Sequence, residues 1–295
     1  MTRFRFIAAQ KASHPVATLC RVLGVSPSGS YAWHRRPVSV RARADTALRE
    51  RIQAIHQHSR GTYGSPRVHA ELRASGVRCA RKRVARLMRT ADMAGCRPRR
   101  FRRTTRADAT AVPAPDRVQR AFAPAAIGAP DRLWVADITY VATQEGWLYL
   151  AVILDVFSRM VVGWSMATHL RTELVLDALG MAVRRRRPAP GLIHHSDRGC
   201  QYTALAFGQQ LQAAGLLASM GAAGTCYDNA VAESFFATLK TELLYRHTWP
   251  SRQAARTAIF AYIETFYNRQ RRHSTLGYLS PAAYETLHHQ ETPAA

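Results

Sequence analysis

The chain has 295 residues, 47% of them hydrophobic, and a net charge of +23 from 42 Lys and Arg against 19 Asp and Glu. That length admits two domains, or one catalytic domain with attached modules, each with apolar area enough for a core, and the positive excess calls for a polyanionic partner, nucleic acid first. Five cysteines without a C-x-x-C pair argue against a disulfide framework or a Cys-rich zinc site, and apolar runs such as LYLAVIL fall far short of the ~20 residues of a membrane span.

The opening MTRFRFIAAQK has no signal-peptide core, so a soluble, intracellular protein is expected. His56 and His58 upstream of Cys79 and Cys96 match no common zinc spacing. The charge is unevenly placed. Residues 1–131 hold 27 basic and 7 acidic side chains, whereas residues 132–295 hold 15 and 12. A high-GC genome accounts for 39 Arg to 3 Lys, but not for this asymmetry. The front is expected to bind the polyanion, and the back to be a nearly neutral globule.

In chain order, residues 1–40 contain a helical pattern in Val16, Leu19, Val22 and Leu23, a stop at Gly24, and a second start at Ser26-Pro27. This is the layout of a helix-turn-helix, or of a plain helical hairpin. Residues 41–97 repeat it more loosely as a helical DNA-binding domain. Leu48, Ile52 and Ile55 share one face, Ser65-Pro66 opens a helix with Val68 and Leu72 inward, and RKRVARLMRTADM lines up Val84, Leu87, Met88 and Ala91. Off that last stripe stand Arg81, Lys82, Arg83, Arg86 and Arg89, placed for phosphate contact. Residues 98–131, broken by Pro98, Pro113, Pro115, Pro124 and Pro130, read as a basic linker.

Residues 132–285 form the expected catalytic core. LWVADITYV, WLYLAVILDVFSR and MVVGWSMAT read as an antiparallel meander. There follow the helix ELVLDALGMAVRRRR, the strand GLIHHSD, the helix ALAFGQQLQAAG, the strand LLASMG and the helix NAVAESFFATLKTELLY. The order βββαβαβα implies an α/β fold, a mixed sheet flanked by helices. One more helix, SRQAARTAIFAYIETFYNRQ, follows, and residues 286–295 form a tail.

Three acids stand where acids are awkward: Asp137 inside the first strand, Asp197 at the end of the fourth, and Glu233 in an apolar helix behind a cap at Asp228. If the first and fourth strands are neighbours, all three share the sheet edge where such folds build sites. Three adjacent carboxylates need a cation. Oxygen-only ligands favour Mg²⁺ or Mn²⁺, and two such ions serve an in-line phosphoryl displacement. Asp137, Asp197 and Glu233 are thus candidate catalytic and metal-binding residues. Asp155 reads as a turn cap, His194 and His195 as packing groups before ligands, and Lys240, seven residues after Glu233, as a phosphate contact or a plain surface lysine. Two rivals are a tyrosine recombinase built on Arg272, His273 and Tyr278, and a DNA-binding regulatory protein with an inactive nuclease-like core.

The stretches WVADITYV, LAVILDVFSRMVVGWSM, LIHHSDRGCQYT, CYDNAVAESFFATLKTEL and YNRQRRHSTLGYLSPAAYE resemble the integrase-core transposases of bacterial insertion sequences, most of all the second-reading-frame (OrfB) proteins of the IS-three family. LCRVLGVSPSGSYAWHRRP and SRGTYGSPRVHAEL are similar to that family's helix-turn-helix region, so the resemblance spans roughly residues 5–285. It implies a ribonuclease-H-like catalytic domain related to retroviral integrases, with a DDE triad on Asp137, Asp197 and Glu233 and DNA contacts at Asn229 and Lys240. It implies metal-dependent cleavage and strand transfer of the element's DNA ends into target DNA, by a homo-oligomer on DNA. It also implies an upstream-frame (OrfA) partner, joined by ribosomal frameshifting, that supplies a further helix-turn-helix and a leucine zipper; no heptad run occurs in this chain. Where the family usually has a polar, basic segment before CYDNA, this chain reads SMGAAGT.

Overall fold

A computed structural model describes residues 2–96, 117–118, 124–197, 199–221 and 230–291. Helices α1 (Arg3–Gln10), α2 (Val16–Val22) and α3 (Pro27–Arg35) close around Ile7, Leu19 and Cys20. Ser26 caps α3 by accepting the Gly29 amide, and Pro27 stands in the first turn, where no N–H is required. The helix-turn-helix layout is present, with one correction to its stripe. Val22, predicted inward, is 75% exposed and Cys20 is buried instead. Positions 16, 19, 20 and 23 follow the 3.6-residue period, and position 22 does not.

Helices α4 (Val40–His58), α5 (Ser65–Ala74) and α6 (Arg81–Thr90) bury Leu48, Ile52, Val68, Leu72, Val84, Leu87 and Met88, the faces their spacing predicts. Gly64, rather than Ser65, stands at the cap position of α5. Most of the proline-rich segment beyond Gly95-Cys96 lies outside the described residues; of it, residues 117–118 and 124–131 are described, the latter opening on the one-turn α7 (Pro124–Ile127).

The sheet has five strands in the order β3-β2-β1-β4-β5. β1 (Leu133–Thr143), β2 (Gly146–Asp155) and β3 (Val161–Ala167) form the antiparallel meander, while β4 (Ile193–Ser196) runs parallel to β1 and β5 (Leu217–Met220) parallel to β4. Alternation along β1 divides the core. Trp134 and Ala136 face α8 (Glu173–Arg186) and α10 (Leu205–Ala213), whereas Leu133, Val135 and Val141 pack with α11 (Ala230–Glu242) and α12 (Arg252–Ala261). A four-residue α9 (Cys200–Thr203), not predicted, precedes α10. Gly163 lets α8 lie directly on β3: a Cβ there would meet the Ala178 carbonyl oxygen at 2.3 Å and the Ala182 Cβ at 2.7 Å.

The apolar cluster under α11 and α12 continues without a break into α4–α6. Polar contacts reinforce that junction. The Tyr63 hydroxyl accepts the Arg272 amide at 2.8 Å, Arg272 donates to Glu71 at 2.8 Å, and Arg67 lies 3.5 Å from Glu242. Glu242 is buried, receives Arg271 through two donors at 2.8 and 2.7 Å, and accepts the Tyr262 hydroxyl at 2.8 Å.

After α12 the chain makes a six-residue π-helical stretch, Tyr262–Tyr267, and reaches Asn268. The Asn268 amide accepts the Val161 N–H at 2.9 Å and donates to the Val161 carbonyl at 3.0 Å, and Arg256 donates to the Met166 carbonyl. Helix α13 (Pro281–Glu291) extends through much of the stretch predicted as a tail.

Candidate active site

Because β1 and β4 are parallel neighbours, with Trp134 opposite His194 and Val135 opposite His195, two further residues of the same register set Asp137 level with Asp197 at the carboxyl edge of the sheet. Asp137 belongs to the odd-numbered face of β1, which packs with α11, and Glu233 lies in the first turn of that helix. Val231, Ala232, Phe235, Phe236 and Leu239 bury the inner face of α11 and fix its head against this edge. The adjacency supposed from the sequence is therefore present.

Electrostatics joins the three acids. Burial first, and then the neighbouring Asp197, push the Asp137 carboxyl up to about 7; Glu233 adds to the rise, while the Ile138 N–H and Lys240 oppose it. Asp137 Oδ1 accepts that N–H at 2.7 Å. Asp197 keeps solvent contact as a residue, yet loss of water around its carboxyl raises it too, against the Gly199 N–H donated at 3.0 Å. Glu233 is exposed. Among the described residues, no three His, Cys, Asp or Glu side chains converge as the shell of one ion. The acids share a field without sharing a point. An oxygen-only donor set with a carboxyl as strongly raised as Asp137 fits a divalent cation.

Lys240 faces this site more closely than its place on α11 implies. Its ammonium is lowered by burial and supported by the Asp137 carboxylate, and it stands 5.7 Å from the Tyr140 ring centroid. Asn229 and Asp228 lie outside the described residues, as does most of SMGAAGT beyond Gly221.

Tyr202, which sequence reasoning passed over, is buried between the His194 and Phe207 rings. Its hydroxyl has no hydrogen-bond partner among the described residues and is pushed well above its usual range, by burial and then by Asp137 and Asp197. The available signal was its position five residues after Asp197 in an otherwise polar turn. His194 is buried and driven down to about 4 by desolvation and His195, and His195 contacts the Ser219 hydroxyl at 2.9 Å. Both are buried. Asp155 is a turn cap, accepting the Ser158 N–H and hydroxyl and the Asp131 N–H.

On α6, Arg81 and Lys82 are exposed, but Arg83 and Arg86 are each 2.7 Å from a carboxylate oxygen of Asp45 on α4. Arg86 first, then Arg83, hold that carboxyl below its usual range. The recombinase trio forms no site: Arg272 is bound to Glu71 and the Tyr278 carbonyl, and His273 is buried beside Arg271.

Two integrase core domain models match residues 128–226 and 214–281, and an HTH-like domain model matches residues 43–101. The chain is 46% identical to the insertion element IS600 uncharacterized 31 kDa protein of Shigella sonnei, over 92% of this chain and 99% of that one. It is 40% identical to the transposase InsF for insertion sequence IS3A of Escherichia coli, over 96% of this chain and 98% of that one. Among solved structures, the HTLV-2 integrase catalytic core domain in complex with magnesium aligns with 54% of this chain and 99% of its own, at 16% identity and a TM-score of 0.41. A ribonuclease-H-like core on a helical HTH-like domain is the build of a DDE transposase or integrase, a polynucleotidyl transferase. Within that class, the chain belongs to the insertion-sequence transposases of the IS3 family. No helix among its described residues is long and apolar enough to cross a membrane.

Proposed function

We propose that this transposase cuts and joins the DNA ends of its insertion sequence by metal-dependent in-line phosphoryl transfer, with Asp137, Asp197 and Glu233 as the carboxylates that hold Mg²⁺ or Mn²⁺, two ions per site. The observation that supports this most is the state of Asp137, whose carboxyl is pushed up to about 7 by burial and by the two other acids. A strand-borne acid that costs so much to ionise is retained where a cation compensates it. Divalent ions supply the Lewis acidity for such a displacement.

The chain's own residues do the rest. Asp137 on β1 and Asp197 just past the end of the neighbouring β4 form the floor of the site, and Glu233 enters from α11. Tyr202 and the rings around it form an apolar wall behind the acids. Lys240 carries its ammonium beside Asp137, where it meets a phosphate of the DNA end. Arg81 and Lys82, with Arg83 and Arg86 in their pairing to Asp45, give α6 a cationic face for the phosphate backbone, and Asn229 adds a further DNA contact. The working form is a homo-oligomer on DNA, with the upstream-frame protein as partner or fusion, in the cytoplasm.

Asp137→Asn, Asp197→Asn and Glu233→Gln are each expected to abolish cleavage and joining of an end-sequence duplex while leaving its binding nearly intact. Full-rate cleavage by any of the three, or by wild type in EDTA, refutes the assignment.

A further inference from the structure

Past Asp137, β1 carries aromatic surface that the chemistry proposed above does not use. Tyr140 and Trp147 are 54% and 49% exposed. They meet edge to face, with ring centroids 5.0 Å apart and planes at 84°. The strand register accounts for the pairing. Tyr140 stands opposite Tyr149 and Ala142 opposite Trp147, so Tyr140 and Trp147 are diagonal neighbours on one face, within reach of each other for aromatic side chains. The head of α12 fixes the hairpin below them. Arg252 donates to the Trp147 carbonyl at 3.1 Å, and its amide donates to Glu145 at 2.9 Å.

A pair that served only to hold the hairpin would gain most by burying both rings, yet each leaves about half its surface in water. Lys240 Nζ, 5.7 Å from the Tyr140 centroid, puts a cation beside that open ring. An apolar protein partner would have to strip water from the ammonium. A nucleotide satisfies both groups, its base on the ring and its phosphate on the ammonium. Asp137 and Tyr140 are three strand residues apart, about 10 Å at ~3.3 Å per residue, about three nucleotides of B-form strand at ~3.4 Å each.

We propose that Tyr140 and Trp147 form a stacking platform for one unpaired base of the DNA end, within three nucleotides of the scissile phosphate, with Lys240 on its phosphate. The proposal rests on the reading that the chain acts on DNA ends. Holding a terminal base out of the duplex keeps the strand to be cut open beside the carboxylates.

The test uses the full chain in EDTA and a duplex copied from the DNA end adjoining the gene, intact or with an abasic site at each of the three terminal positions. Wild type is expected to lose affinity about 5- to 150-fold at one of those positions, the range for one stacked base. Tyr140→Ala and Trp147→Ala should show a similar loss on the intact duplex and no further loss with the abasic one, whereas Tyr140→Phe keeps both the affinity and the abasic penalty. Equal abasic penalties in wild type and Tyr140→Ala overturn the platform, as does wild-type affinity of Tyr140→Ala for the intact end. A change of oligomeric state in Trp147→Ala without DNA, with the abasic penalty unaltered, overturns it in favour of a contact between copies. Failure of wild type to prefer the end duplex over an unrelated one of equal length overturns the underlying reading as well, a result distinct from a platform that fails alone.

Discussion

Replacing Asp137 with Asn should stabilise the metal-free protein even as it ends catalysis. The Asp137 carboxyl is raised from 3.8 to about 7 in the folded chain. At about 1.36 kcal/mol per unit, keeping it ionised above pH 7 costs the fold about 4 kcal/mol. Below pH 3.8 the group is protonated in both the folded and unfolded chain, and the cost vanishes. Between 3.8 and 7 the folded chain holds a proton that the unfolded chain has released, so stability falls as pH rises; above 7 the cost is constant. An amide has no such dependence. The stability gap between Asp137→Asn and wild type should therefore widen by about 3 kcal/mol from pH 5 to pH 8, over the two units up to pH 7. Urea unfolding in EDTA, followed by tryptophan fluorescence at several pH values, measures it. Asp197 contributes to the shift, so the observed midpoint belongs to the interacting acids together. Adding Mg²⁺ at pH 8 should stabilise wild type, by linkage of binding to folding, and leave the variant unmoved. A gap that stays constant from pH 5 to pH 8 would refute the reasoning.

Two structural predictions follow from the packing around this site. Gly163→Ala puts a methyl 2.3 Å from the Ala178 carbonyl oxygen, so α8 must lift off β3; a loss near the upper end of the 1–3 kcal/mol usual for overpacking, about 3 kcal/mol, is expected as a lower denaturant midpoint at unchanged slope. Glu242→Gln leaves the buried Arg271 guanidinium facing a neutral amide in place of a bidentate carboxylate. About 3–5 kcal/mol should be lost, read by thermal unfolding; an unchanged melting temperature would mean that the pair adds nothing.

Much of the catalytic core was legible because its signals are local. β-branched runs mark β1 to β3; Asp137 stands out by interrupting one of them, and Asp197 by ending the short apolar run of β4. The adjacency of β1 and β4 could only be supposed, since pairing between strands 60 residues apart leaves no mark in either segment. Lys240 shows the same limit: a spacing of seven fixes its height on α11, whereas its approach to Asp137 and Tyr140 depends on how the helix lies across the sheet. The basic face of α6 was visible, but not that Asp45, on another helix, binds Arg83 and Arg86. Glu242 and Arg271 read as ordinary helix and loop charges; their burial is a property of how α11, the π-helical stretch and α5 meet.

The side chains that dress β3 decide how the sheet ends. An edge strand offers a row of free amides and carbonyls on which another chain can grow, the usual beginning of edge-to-edge aggregation. Here Asn268 occupies both backbone groups of Val161, and Arg256 takes the Met166 carbonyl, so an incoming strand would find its first and last rungs already filled. The flank on which copies of the chain could pair edge to edge is thereby closed at those rungs.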